Sequence, residues 1–173
     1  MLKDFIGEYA RYRIAGEKAL RQVSDSNLNR VIGADNNSIA IIVRHMSGNL
    51  LSRFTDFLTA DGEKPWRDRD SEFEDRSYGR ADVDRMWVQG WDKLETELSR
   101  ISDEHLLEKV RIRGVEWTVH DALCRSLAHV AYHVGQIVLL ARILKEGEWE
   151  WISIPKGQSR EYNKNPTKEK PTV

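Results

Sequence analysis

Leu127–Leu144 reads LAHVAYHVGQIVLLARIL, and the fold turns on how this stretch is read. Leu127, Val130, Val134, Ile137, Val138, Ala141 and Leu144 recur at intervals of three and four, which lays them along one face of a helix. Carried upstream through Leu123, the pattern predicts a helix over 118–145 that Gly147 ends. His129 and His133 sit four residues apart on one shoulder of the stripe. A helix turns about 100° per residue, so the two rings lie one above the other, roughly 6 Å apart along the axis. Helical metal sites use that spacing, and so do core histidines hydrogen-bonded to a carbonyl. Both readings stand on spacing alone. No glutamate follows His129, so the H-E-x-x-H of zinc proteases is absent.

Working back along the chain, three more segments carry a helical period. One over 2–23 is outlined by Leu2, Phe5, Ile6, Tyr9, Leu20 and Val23. A second over 39–60 follows Ser38, a good N-cap, and carries Ile39, Ile42, Val43, Met46, Leu50, Phe54 and Phe57 on one face. A third over 81–100 holds Val83, Met86, Trp87, Trp91, Leu94 and Leu98. Between the second and third lies a polar, aperiodic connection, EKPWRDRDSEFEDRSYGRAD, of a length that is usually functional or crosses the fold. KVRIRGVEWTV alternates about Gly114, as a small hairpin does. The expectation is an all-α fold: a four-helix bundle with a long crossover connection and a small hairpin or irregular insert before the last helix. The bundle is expected over 1–150, with a tail over 151–173 partly packed on it.

A chain of 173 residues can bury one core. A formal net charge of -1, with 32% charged residues, gives no bulk electrostatic case for nucleic acid or an anionic membrane as partner. The lone cysteine, Cys124, excludes an intrachain disulfide and any cluster of thiolate ligands, and suits a reducing compartment. The charged N-terminal stretch MLKDFIGEYARYR reads as neither a signal peptide nor a membrane span. A cytoplasmic protein is expected.

Five histidines are available: His45, His105, His120, His129 and His133. On the helical wheel His120 falls on the shoulder opposite His129 and His133, more than two turns away, and is left out of any shared site. His45 lies off the apolar stripe of the second helix, with Asn49 beside it, at a margin where a groove between helices can open. Neutral imidazoles suit Zn, Ni, Cu or Fe(II), and a set of three leaves a coordination position free for water or substrate.

LAHVAYHVGQIVLLARIL closely resembles the last-helix motif of the DinB/YfiT-like superfamily, H-x3-H followed by G-Q-I. NSIAIIVRHMSGNLLSRFTDFLTADGEKPWRDRDSEF and the tail segment SIPKGQS resemble an uncharacterised branch of it, so the resemblance covers nearly the whole chain. It implies a four-helix bundle in up-down-down-up order, commonly a homodimer. It also implies a divalent metal (Zn, Ni or Fe) held by His45, His129 and His133. Characterised relatives include thiol-dependent S-transferases and a thiol-dependent isomerase, so a low-molecular-weight thiol is an implied cofactor. The branch has no assigned reaction, and fold does not carry activity with it. Two functions are therefore expected: a metal-dependent enzyme activating a thiol or a water on a small-molecule substrate, or a non-catalytic metal- or ligand-binding dimer. Whether it is an enzyme stays open, and no catalytic residue beyond the ligands is assigned.

The remaining candidates carry two readings each. Gln136 either holds the second nitrogen of a ligand histidine or faces solvent, and Asn49 has the same ambiguity. Gly48 and Gly135 read as places where a neighbouring helix comes close, Arg44 as a surface residue, and WRDRDSEFEDR as a solvated ion-pair loop at the cleft mouth or beyond it. Cys124 points away from the histidine pair and reads as a small core or interface residue.

Overall fold

The structure is a computed structural model and describes residues 1–167. It is mostly helical: α1 Leu2–Leu20, α2 Ile39–Phe54, α3 Arg80–Leu98, α4 Val119–Leu144 and a single turn, α5, Ser159–Tyr162. The one sheet among the described residues is a hairpin, β1 Lys109–Ile112 with β2 Val115–Thr118. The last residues of the expected tail, from 168 on, lie outside the described residues.

Three of the four long helices start against a side-chain acceptor for an unpaired first-turn amide, α2 and α4 from their own N-cap and α1 from a distant aspartate. Ser38 Oγ accepts from Ile41 N at 3.3 Å to open α2, and Thr118 Oγ1 accepts from Asp121 N at 3.0 Å to open α4. Leu2 N at the start of α1 donates to Asp103 Oδ1 at 2.6 Å. At the other end, α2 stops at Phe54, several residues short of the predicted 60. Thr55 turns extended and Asp56 takes a positive φ of 51°, which lets Phe57 fold back with its ring 5.0 Å from that of Phe54. The periodic apolar residues continue past the point where the backbone ceases to be helical.

α2 lies along α3 and α1 along α4, and α2 also meets α4. The shared core holds Tyr9, Leu28, Val43, Met46, Leu50, Phe54, Trp91, Leu94, Leu123 and Ile137, all but inaccessible to solvent. Burying each such side chain stabilises by about 1.5–3 kcal/mol against leaving it exposed. α2 and α3 approach so closely that a Cβ at Gly90 would stand 2.9 Å from Ser47 Cα, so no side chain fits there. Tyr9 Oη donates to Leu123 O at 3.1 Å, tying α1 to α4.

The hairpin pairs Val110 with Trp117 and Ile112 with Val115. Its two-residue turn, Arg113–Gly114, has positive φ at both positions (55° and 73°), the backbone that a tight antiparallel hairpin requires. Asp61, just after α2, accepts from the turn amides of Arg113 (2.8 Å) and Gly114 (2.7 Å), and Gly62 N donates to Arg111 O at 2.8 Å. The hairpin tip is thereby fixed over the end of α2. The connection 55–79 carries a 3-10 turn, Asp70–Phe73, laid against α2. Beyond α4, Trp149 and Ile152 pack on the core, and Gln22 bonds both Glu150 N (2.8 Å) and Glu150 O (3.0 Å).

By length and composition α4 is apolar enough to cross a membrane, alone among the described helices. One face of it, Val130, Val134, Ile137 and Ala141, is buried in the core.

Candidate metal centre

His45 from α2 and His129 and His133 from α4 converge. The Nε2 atoms of His45 and His129 are 3.1 Å apart, and one nitrogen from each of the three rings lies within 4.8 Å of the others. Ring centroids are 4.5 Å apart for His129–His133 and 4.9 Å for His45–His133. Two imidazoles each about 2.0–2.1 Å from one tetrahedral ion would place their nitrogens roughly 3.3–3.4 Å apart. The three side chains fit a metal ion.

Two of the rings are held by their far nitrogens. Glu72 Oε2 lies 2.8 Å from His45 Nδ1, and the same carboxylate receives Arg67 through Nε at 2.8 Å and Nη2 at 2.9 Å. Glu72 is 5% exposed. Burial would raise its pKa, but the hydrogen bonds from His45 and Arg67 outweigh burial and keep it below the ordinary carboxylate range. An ionised carboxylate can only accept, so His45 carries its hydrogen on Nδ1 and turns the Nε2 lone pair toward the site. On α4, His133 Nδ1 donates to Gln136 Oε1 at 2.8 Å, three residues on, and again leaves Nε2 free.

Burial favours the neutral form of His129 and His133. Burial, then the neighbouring His133, His45, Arg67 and Arg53, lower the pKa of His129 to about 3. Burial lowers His133 as well, against the opposing effect of its bond to Gln136. Neutral imidazole is the form that ligates.

The site opens into a cleft of about 630 Å³ between α2 and α4, closed at one end by the hairpin tip. His45 and His129 line it, with Asn49, Arg53, Arg69, Arg113, Arg125 and Tyr132. Its volume is in the range of small-molecule sites.

Several expectations meet the structure directly. His45, His129 and His133 come together; Gln136 holds the His133 ring; Asn49 lines the cleft. His45 is buried in the cleft floor at 4% exposure rather than at an open margin. His120 stands apart, against Phe5 and 3.8 Å from Cys124 Sγ. Cys124 is exposed on the outer face of α4, so of its two readings, core or interface, it is not a core residue. Arg44 is half-buried, bonded to Ser71 Oγ at 3.1 Å, and not a surface residue. The Cβ space at Gly48 belongs to no helix: an added Cβ would collide with Glu72 Oε1, so the carboxylate as placed between His45 and Arg67 occupies room that a side chain at 48 would take. Gly135 faces open space, with nothing within 4 Å of an added Cβ.

The residues missed were Arg67 and Glu72, hidden in a charged loop that reads as solvated. The signal that points to them is the pairing of Gly48, one turn from His45, with a long acid-rich connection able to return to that face.

A family model described as a protein of unknown function, DUF1572, matches residues 1–158. No curated protein and no solved structure matches the chain.

Proposed function

The chain belongs to the DUF1572 family, and we propose that it is a metalloprotein in which His45, His129 and His133 hold one divalent transition metal, Zn, Ni or Fe, with a coordination position open to the cleft. One observation carries this reading: three imidazoles meet, two of them (His45 and His129) lining a cleft and two (His45 and His133) with Nδ1 held by Glu72 and Gln136. Bound there, such an ion supplies Lewis acidity that makes a thiol or a water more acidic. The chain's own residues do the rest. Glu72 and Gln136 fix ring orientation, Arg67 fixes Glu72, and the neutral state of His129 and His133 keeps the ligand set ready at neutral pH. The reaction read here is activation of a low-molecular-weight thiol or of water for attack on a small substrate. It agrees with the resemblance to the DinB/YfiT-like superfamily, in which the four long helices are an up-down-down-up bundle that dimerises in the cytoplasm.

The second reading, metal or ligand binding without turnover, is favoured by the absence of any carboxylate among the described residues lining the cleft.

Protein purified without an affinity tag should carry about one equivalent of transition metal, lost on chelation and regained on refilling. Both H129A and H133A should abolish binding. Failure of the untagged protein to bind any transition metal overturns the proposal. Conjugation of several bacterial thiols to monochlorobimane, lost in both variants, separates turnover from binding alone; activity that survives in them sinks the metal mechanism.

A further inference from the structure

The cleft that opens over His45 and His129 is lined by four arginines, Arg53, Arg69, Arg113 and Arg125, and by no acidic residue among those described. The chain as a whole has a formal net charge of -1, so this concentration of one sign is local. Four guanidiniums around one cavity repel each other, and that arrangement is costly without an anion to hold.

Their partners do not account for them. Arg113 Nε bonds Glu63 Oε2 at 2.9 Å, outside the cleft lining. Arg69 lies 5.0 Å over the ring of Phe73 and meets a carboxylate only at 3.9 Å, that of the solvent-exposed Asp70, a pair worth little; Arg125 lies 5.4 Å over the ring of Trp117, a contact that orients a guanidinium without neutralising it. Arg53 is the clearest case. Its Nη1 is buried and has no hydrogen-bond partner, although an unpaired buried donor of a charged group is among the costliest features a fold can retain. Burial together with the nearby Arg67, Arg113 and Arg125 lowers its pKa, against a single opposing carboxylate, Glu63.

Placement sets the length of what would bind. Arg53 is two helical turns beyond His45 on the same face of α2, about 12 Å along the axis, and Arg125 is one turn before His129 on α4, about 6 Å. We propose that the cleft takes an anionic small molecule whose carboxylate or phosphate end is gripped by Arg53, Arg113 and Arg125 while a donor atom roughly 6–12 Å away reaches the imidazole site. The donor-atom half of this statement rests on the metal reading above. The acid-binding half does not.

Two thiols of equal length, 6-mercaptohexanol and 6-mercaptohexanoate, differ by one acid group and serve as probes. Titrated into the cobalt(II)-loaded protein and followed by the sulfur-to-cobalt absorption band, the acid should bind about tenfold or more tightly than the alcohol. The gap should narrow as salt rises. It should close in R53Q and in R125Q, with affinity for the alcohol unchanged, and persist in R85Q, whose side chain pairs with Asp82 on the exposed face of α3. Arg125 is itself exposed, so R125Q keeps the test readable if R53Q does not fold. Succinate and inorganic phosphate, added as competitors, show which acid group the arginines prefer.

Equal affinities of the two thiols, or a gap untouched by R125Q, overturn the anionic ligand while the cobalt spectrum upholds the metal site. If no cobalt is taken up, the metal reading fails alone. Calorimetry of the two thiols on metal-free protein then decides the acid pocket: a charge gap sustains it, and none overturns it. Displacement of the acid by single-stranded oligonucleotide at lower concentration than by succinate or phosphate overturns the small-molecule assignment in favour of a nucleic-acid surface.

Discussion

Glu72 fixes the orientation of the His45 ring in the candidate metal site. It is a buried carboxylate between His45 and Arg67, and it occupies the space that any side chain at position 48 would need. E72Q retains the shape and loses the charge, so metal affinity should fall about 10–100-fold, measured by competition with a chromophoric chelator. G48A should act in the same direction by displacing the carboxylate; affinity unchanged in both would leave Glu72 no part in holding the site. His129 makes the metal-free protein acid-sensitive. Its native pKa is lowered to about 3 from an ordinary 6.5, so between those values the unfolded chain binds the proton that the native state refuses. Stability should be flat above pH 6.5 and fall as pH drops through that window. Urea midpoints of metal-free protein at pH 7.5 and pH 5 check the sign, and H129A should lessen the difference.

Elements that repeat a period were legible in the sequence, and those that do not were missed. All four long helices announce themselves through apolar residues at three- and four-residue spacing, and the hairpin through its alternation about Gly114. Helix ends were read less well, as at Phe54, because apolar periodicity runs on into turns whose side chains also pack. His129 and His133 share a helix, so their proximity follows from number alone. Arg67 and Glu72 are buried by tertiary folding of a segment with no period, and nothing local distinguishes them from their solvated neighbours Asp68 and Asp70. The same holds for four arginines spread between positions 53 and 125, which only the fold collects. At the level of element packing, Gly90 is the tightest constraint on the α2–α3 contact. G90A should destabilise by about 1–3 kcal/mol through overpacking against Ser47. Chemical denaturation measures it, and a neutral outcome would mean that the two helices can separate without loss.

Seen as a whole, the molecule keeps a nearly balanced net charge while segregating positive groups into one cleft, which focuses its field on a small volume instead of spreading it over the surface. Assembling that cleft takes residues from α2, from the connection after it, from the hairpin and from α4, so nothing short of the folded chain presents it. The carboxylate of Asp61 bears on this directly, since it accepts the amide hydrogens of Arg113 and Gly114 from 52 and 53 residues away in sequence. Amides at the tip of a two-residue turn ordinarily trade their hydrogens with solvent at nearly the unhindered rate. Here the two are latched by one side chain, and both come free together when the hairpin tip, which closes one end of the cleft, parts from Asp61. In deuterated water they should therefore exchange slowly and at matched rates, with D61N releasing both together. Two adjacent peptide hydrogens would then serve as a clock for how often the cleft opens.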